Sequence, residues 1–257
     1  MKLSHWYGRL GNNIQQTAIG LMCAQAYQTK FIQPLEHDII GRWEQSFGVK
    51  PSGVQGKFFY YNGPFHEVPI DAGKVYTEMR AFCKEYVRPY LCLPRVDVDP
   101  DTLVIHIRSG DVFDQRVDNP GQYVPNPYCF YSTLLESFDR AIVVTEPDQF
   151  NPIVEELKWD SKVTVQSKSV AEDFATLMAA KHVATSGVGT FAMAAALCSE
   201  NITDLYCTNI CIEEHLNYKM LYNTDVTINM MVLQDYIKTG EWANTDEQRE
   251  FLFSYKV

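Results

Sequence analysis

An imidazole, a guanidinium and a carboxylate stand together in His106-Ile107-Arg108-Ser109-Gly110-Asp111, directly after the apolar run Leu103-Val104-Ile105. In a strand, alternate side chains share a face, so His106 and Arg108 point the same way at its carboxyl end. A guanidinium placed there can fork onto a diphosphate through two charge-assisted bonds, with His106 donating to the same group. Gly110 permits a tight turn, and Asp111 can orient the arginine or meet a hydroxyl. The same residues also suit a buried Arg108–Asp111 ion pair beside a core histidine. Local chemistry leaves both readings open.

A second segment, Thr185-Ser186-Gly187-Val188-Gly189-Thr190-Phe191, runs from a strand through two glycines into an Ala-rich helix. Free N–H groups and the macrodipole make such a helix start favourable for an anion, by roughly 0.3–1 kcal/mol. Ser186 and Thr190 add hydroxyls. The plainer alternative is that Thr190 only caps the helix. The segment is neither a P-loop nor a G-x-G-x-x-G fingerprint. Asp173 falls in the first turn of another helix, where a carboxylate is favourable in any case; it could also accept from a purine or a ribose hydroxyl. Lys181 and His182 are equally ambiguous. The acids of Asp97-Val98-Asp99-Pro100-Asp101 precede a strand, and Pro100 suits a surface turn, so no metal site is expected. Cys207 and Cys211 lack the second pair that zinc needs.

The elements that position these groups follow from apolar periodicity. The glycines of Gly8-Arg9-Leu10-Gly11 punctuate entry into a helix predicted over about 12–27, with Ile14, Ala18, Leu21, Met22 and Ala26 on one face. Residues 30–75 read as short strands and loops, followed by a helix over about 73–87. Strands are predicted at 103–107, 141–145, 163–165, 183–185 and 205–207, the last clear one. Helices are predicted over about 128–138, 152–157 (Asn151 capping, Pro152 in the first turn), 170–181 and 191–197. Short buried strands alternating with helices mean a parallel sheet covered on both faces, and such sheets bind ligands beyond the carboxyl ends of their strands. A break near 95–102 divides the chain into 1–98 and 99–257.

The formal charge of −10 sets the chain against nucleic acid and anionic membranes. An anionic ligand therefore needs a local cationic site. No run of about 18 apolar residues suggests a membrane span, and the start lacks the apolar core of a signal peptide. Seven cysteines, with Cys23, Cys83 and Cys198 placed as buried thiols, fit a reducing cytoplasmic setting.

Four segments in this order resemble the GT-B fucosyltransferase superfamily, nearest to the α-1,2-fucosyltransferases: GRLGNNIQQ (8–16), HIRSGD (106–111), IVVTEPDQFNPIVEEL (142–157) and EDFATLMAAKHVATSGVGTF (172–191). The resemblance implies an α/β, GT-B-like fold of two facing Rossmann-like domains with parallel sheets, the first small and on the acceptor side. It implies an inverting, metal-independent transfer of a sugar, fucose from GDP-fucose, to a glycan hydroxyl, with no cofactor. Arg108 would be the main catalytic group. Arg9, Gly11, Asn12, His106, Asp173, Ser186, Gly187, Gly189, Thr190 and Phe191 would hold the nucleotide sugar. Asp111 is the candidate general base, with Asp114 and Glu146 as rivals. The loop from Val112 to Tyr131, with Asp114, Tyr123 and Tyr131, is the candidate acceptor surface. The chain departs from the family pattern in three places: Asn13 for Gln, Ser109 for a second basic residue, and Ala192-Met193-Ala194 for Ser-Trp-Trp. Another donor such as UDP-xylose, a non-catalytic nucleotide- or glycan-binding protein, and a Rossmann oxidoreductase therefore remain as alternatives.

Overall fold

The computed structural model describes residues 1–49, 72–114, 121–147, 151–213 and 215–257. The chain begins with α1 (Leu10–Ala26), β1 (Lys30–Gln33), β2 (Trp43–Ser46) and α2 (Ala72–Phe82), which runs on through a π-helical turn at Cys83–Val87. The second portion carries β3 (Leu103–Ile107), α3 (Gly110–Phe113), α4 (Tyr128–Glu136), β4 (Ala141–Thr145), α5 (Pro152–Leu157), β5 (Val163–Gln166), α6 (Val170–Ala179), β6 (His182–Ala184), α7 (Phe191–Cys198), β7 (Asp204–Thr208), β8 (Thr227–Met231) and α8 (Asp246–Ser254).

Six strands form one parallel sheet in the order β5-β4-β3-β6-β7-β8. The strand order thus reverses between β3 and β6. Connections leave these neighbours in opposite directions, which opens a crevice at their carboxyl ends. Every residue of β3 is buried. Val104 faces a core built with α1, α6 and α7, while Leu103, Ile105 and Ile107 face the core of α4, α5 and α8. His106 shares the parity of Val104 and so projects toward the α7 side. The sheet extends one strand beyond the expected last one, to β8.

The first portion departs from expectation. Among its described residues the pairings are antiparallel β1 with β2, one parallel bridge from Lys2 to Ile32 and one antiparallel bridge from Ile40 to Leu91, and not a small parallel sheet. Its apolar residues share a core with α7 and the sheet. Residues 10–24 of α1 are buried apart from half-buried Asn12, not only on one stripe, and Ala26 is exposed. Ile14, Ile19 and Leu21 are fully buried, each contributing roughly 1.5–3 kcal/mol to docking. Two buried polar residues of α1, Asn13 and Gln16, bond to the incoming chain: Asn13 Nδ2 donates to Tyr7 O, Gln16 Nε2 to His5 O, and Tyr7 N–H to Gln16 Oε1. Ala192 to Cys198 are all buried, and the four alanines among them let α1 and α6 close on α7. No helix among the described residues is long and apolar enough to cross a membrane.

Candidate functional site

Arg108 leaves the end of β3 into a frame built by β4 and α5. Asn151 caps α5 by accepting from Ile153 N–H at 2.9 Å, and its amide donates to Arg108 O at 3.1 Å. Ser109 is fully buried; its N–H donates to Glu146 Oε2 at 2.6 Å, and its hydroxyl lies 2.7 Å from that of Thr145. The backbone under Arg108 is therefore held by the segment that follows β4.

The Arg108 guanidinium forks onto Asp111, Nε to Oδ1 at 3.1 Å and Nη2 to Oδ2 at 2.7 Å. Tyr123 covers one of its faces, with Cζ 3.8 Å from the ring centroid. Among the described residues no hydrogen bond takes up Nη1. Burial disfavours the charge on Arg108, but Asp111 outweighs it and the guanidinium pKa is raised. Burial likewise pushes Asp111 up, and Arg108 together with Arg9 pulls it below the usual carboxylate range. Arg9, at the N-cap of α1, reaches over the same carboxylates: Nη1 lies 3.2 Å from Glu146 Oε1 and Nη2 3.5 Å from Asp111 Oδ1.

Asn12, three residues after Arg9, meets the second motif. Its Oδ1 accepts from the Thr190 hydroxyl at 2.6 Å. Thr190 thus makes no side-chain cap on α7, which sets aside the capping role, and among the described residues no side chain accepts from the first-turn N–H groups of α7. A Cβ on Gly11 would lie 2.6 Å from the Thr190 carbonyl carbon, so only glycine permits this contact between α1 and α7. Gly187 has φ +86°, and a Cβ there would meet Val124 O at 2.6 Å.

His106 closes the space between the two motifs. Its ring packs 5.2 Å from that of Phe191, the first residue of α7, and Phe191 in turn contacts Phe174 at 5.3 Å. The residue is 7% exposed, and its buried Nδ1 has no hydrogen-bond partner among the described residues. Burial, reinforced by Arg108 and Arg9 and opposed by Glu146, lowers its pKa to about 4. It is a neutral imidazole at neutral pH.

Several expected site residues have other roles. Asp111 is a weakened base, because both its oxygens serve Arg108 and its pKa is depressed. Tyr131 is 1% exposed in the core beside Phe130, so it offers no acceptor surface. The described part of the proposed acceptor loop is stitched into the sheet: Asn126 donates to Thr185 O and accepts from Thr208. Residues 115–120 of that loop lie outside the described residues. Asp114 ends α3 and is half-buried, and Tyr123 belongs with Arg108. Asp173 accepts from Gln166 Nε2 at 2.8 Å and from Lys168 N–H, which places it at the β5 end of the crevice, linked to the centre through Phe174 and Phe191. Ser186 is buried at the β6 end. Asp99 pairs with Arg140 and caps its own turn, the surface role expected for that acidic run.

Gly187 and Gly189 also border a cavity of about 20 Å³ on the β7 side, lined further by Thr208, Cys211, His215 and Tyr218. This is room for about one water, and Arg108 does not line it. A ligand held by both motifs would lie in the crevice above β3 and β6. No cluster of three or more His, Cys, Asp or Glu among the described residues is arranged to hold a metal ion.

The sequence-distant contacts Arg9–Glu146, Asn12–Thr190 and Asn151–Arg108 thus draw the four resembling segments to one place. Comparison of the chain with protein-family models, with curated proteins and with solved structures found no match in any of the three.

Proposed function

We propose that this chain is a glycosyltransferase that moves a sugar, fucose before other candidates, from a nucleoside diphosphate donor to a carbohydrate hydroxyl. On this proposal the GT-B-like arrangement places the donor between the α1 portion and the sheet. One observation carries it. At the point where the strand order reverses, the Nη1 edge of Arg108, the Nδ1 of buried His106 and the start of α7, none with a side-chain partner among the described residues, come together. All three suit an anion with donor groups, and the reaction needs such groups where charge develops on the leaving pyrophosphate.

In the proposed displacement, the acceptor oxygen bonds to the anomeric carbon as the bond from that carbon to the phosphate oxygen breaks. The electron pair leaves with the nucleotide. Arg108 and the α7 N–H groups meet that charge, Asp111 fixes the Arg108 fork, and Asn12 ties α1 to Thr190 at the rim. His106, neutral, supplies a hydrogen bond without adding a charge.

A non-catalytic nucleotide-binding reading draws on one feature, the pairing of Arg108 with Asp111. Melting curves with GDP, UDP and their sugar conjugates, with and without chelator, separate these readings. At a hundredfold excess over Kd the matching nucleotide stabilises by about 2.7 kcal/mol, and preference for GDP over UDP selects the fucose donor. Arg108→Ala should lower kcat by roughly 10²–10³. A variant with near-normal turnover, or a wild-type protein indifferent to every nucleotide, overturns the assignment.

A further inference from the structure

We infer that Glu146 is the base of this site and that Arg9 holds it in check: a docking pyrophosphate draws Arg9 off Glu146 and frees one carboxylate oxygen for the acceptor proton. This rests on the glycosyl-transfer reading above. The choice between the carboxylates comes from their bonds. Asp111 has both oxygens committed to Arg108, at 3.1 and 2.7 Å. Glu146 is anchored through one oxygen only, Oε2, by the Ser109 N–H at 2.6 Å. Among the described residues its other oxygen, Oε1, is held by Arg9 alone, at 3.2 Å.

Arg9 is the loosest member of the cluster. Its side chain is 64% exposed, and its contacts of 3.2 and 3.5 Å exceed the 2.7–2.9 Å typical of strong charge-assisted bonds. Exposed pairs of this kind are easily exchanged. A pyrophosphate offers a doubly anionic partner at the same rim, where Asn12 and Thr190 lie. Once Arg9 turns to it, Glu146 keeps its Ser109 anchor and presents Oε1 to the crevice. The proton of the attacking hydroxyl passes to Oε1 as the new glycosidic bond forms and the phosphate leaves with its electron pair. The surrounding groups are Arg108 and Asp111 from the β3 end, Arg9 from α1 and neutral His106 from β3. None of them offers a second carboxylate with an oxygen open in this way.

The test pairs nucleotide binding with transfer. Glu146→Gln keeps the Ser109 bond but cannot take the proton. It should bind GDP or UDP as well as wild type, or up to about tenfold tighter because Arg9 loses its competitor, while transfer drops at least about 10²-fold. Asp111→Asn should weaken both, and Glu146→Asp should restore part of the transfer. Arg9→Met should cost about tenfold in nucleotide affinity. Transfer within threefold of wild type in Glu146→Gln, or nucleotide binding lost together with transfer, overturns the inference. So does an Arg9→Met protein that binds like wild type, which decides the matter even where Glu146→Gln fails to fold. Wild-type protein that binds no nucleoside diphosphate would instead bring down the transferase reading itself.

Discussion

His106 makes the buried centre of the site measurable without knowing the substrate. Its pKa falls to about 4 in the folded protein, against about 6.5 in an unfolded chain. Between those values the unfolded chain binds more protons, so acid favours unfolding. The contribution of His106 is intact above about pH 6.5 and is lost as pH falls toward 4. Linkage over that window gives a loss of about 2 kcal/mol between pH 7 and pH 5. His106→Gln removes the titrating group and keeps a polar side chain. Urea denaturation of both proteins at the two pH values closes a cycle in which His37, whose pKa burial also lowers, and the carboxylates cancel. Wild type should lose about 2 kcal/mol more than the variant on acidification. Equal losses in the two proteins would mean that His106 is hydrated or charged in the fold, and the neutral-donor role would go with it.

Gly11→Ala places a methyl 2.6 Å from the Thr190 backbone; a cost of about 1–3 kcal/mol in thermal unfolding is expected, with loss of nucleotide-linked stabilisation because Asn12 and Arg9 move with α1. Asp225→Asn removes the counter-charge of Arg80, which is 3% exposed and also donates to Ala196 O at the end of α7. Asp225 is held at about 2 chiefly by its bond to Arg80, so its contribution is full above its unfolded pKa and lost as pH falls toward 2. Because its side chain is 60% exposed, the cost at neutral pH is discounted to about 1 kcal/mol, and denaturation at neutral and strongly acidic pH should show the difference vanish.

Apolar runs bounded by turn residues made β3 to β7 and the longer helices between them legible, because parallel strands buried on both faces leave just that trace; the four-residue α3, inside a stretch expected as loop, was not. The β8 strand, Thr-Ile-Asn-Met-Met, is an edge strand with no fully buried residue, and polar Thr227 and Asn229 interrupt its apolar side chains, so it leaves no buried-strand trace. Residues 30–75 read as short strands and loops, but nothing local specifies that β1 and β2 pair antiparallel. The conflict at Tyr131 was resolvable: its i,i+4 partner Leu135 marks the inward face of α4, and that spacing outweighs an aromatic's aptitude for sugars. Asn151 was legible as a cap, whereas its second bond, to Arg108 O, spans 43 residues and has no local sign. The same holds for Ser109 with Glu146, 37 residues apart. Motif spacing located the groups; which carboxylate serves which guanidinium came only from the fold.

The charges of the cluster explain why the first dozen residues belong to the site. The sheet portion alone brings Arg108 together with Asp111 and Glu146, one positive charge against two negative, in a chain already at −10. That arrangement repels a pyrophosphate. Docking of α1 adds Arg9 and brings the count to two against two. A neutral cluster still does not attract an anion from afar, so the ligand must exchange places with carboxylates already bound. An anion that engages one guanidinium gains little from that exchange. One with two phosphates can engage Arg9 and Arg108 together while α7 offers its N–H groups, and it releases Glu146 as it does so. On the proposed transfer, selectivity for a diphosphate over a monophosphate, and the appearance of the base only after the donor is seated, would follow from one event, which Gly11 allows by letting α1 rest against Thr190.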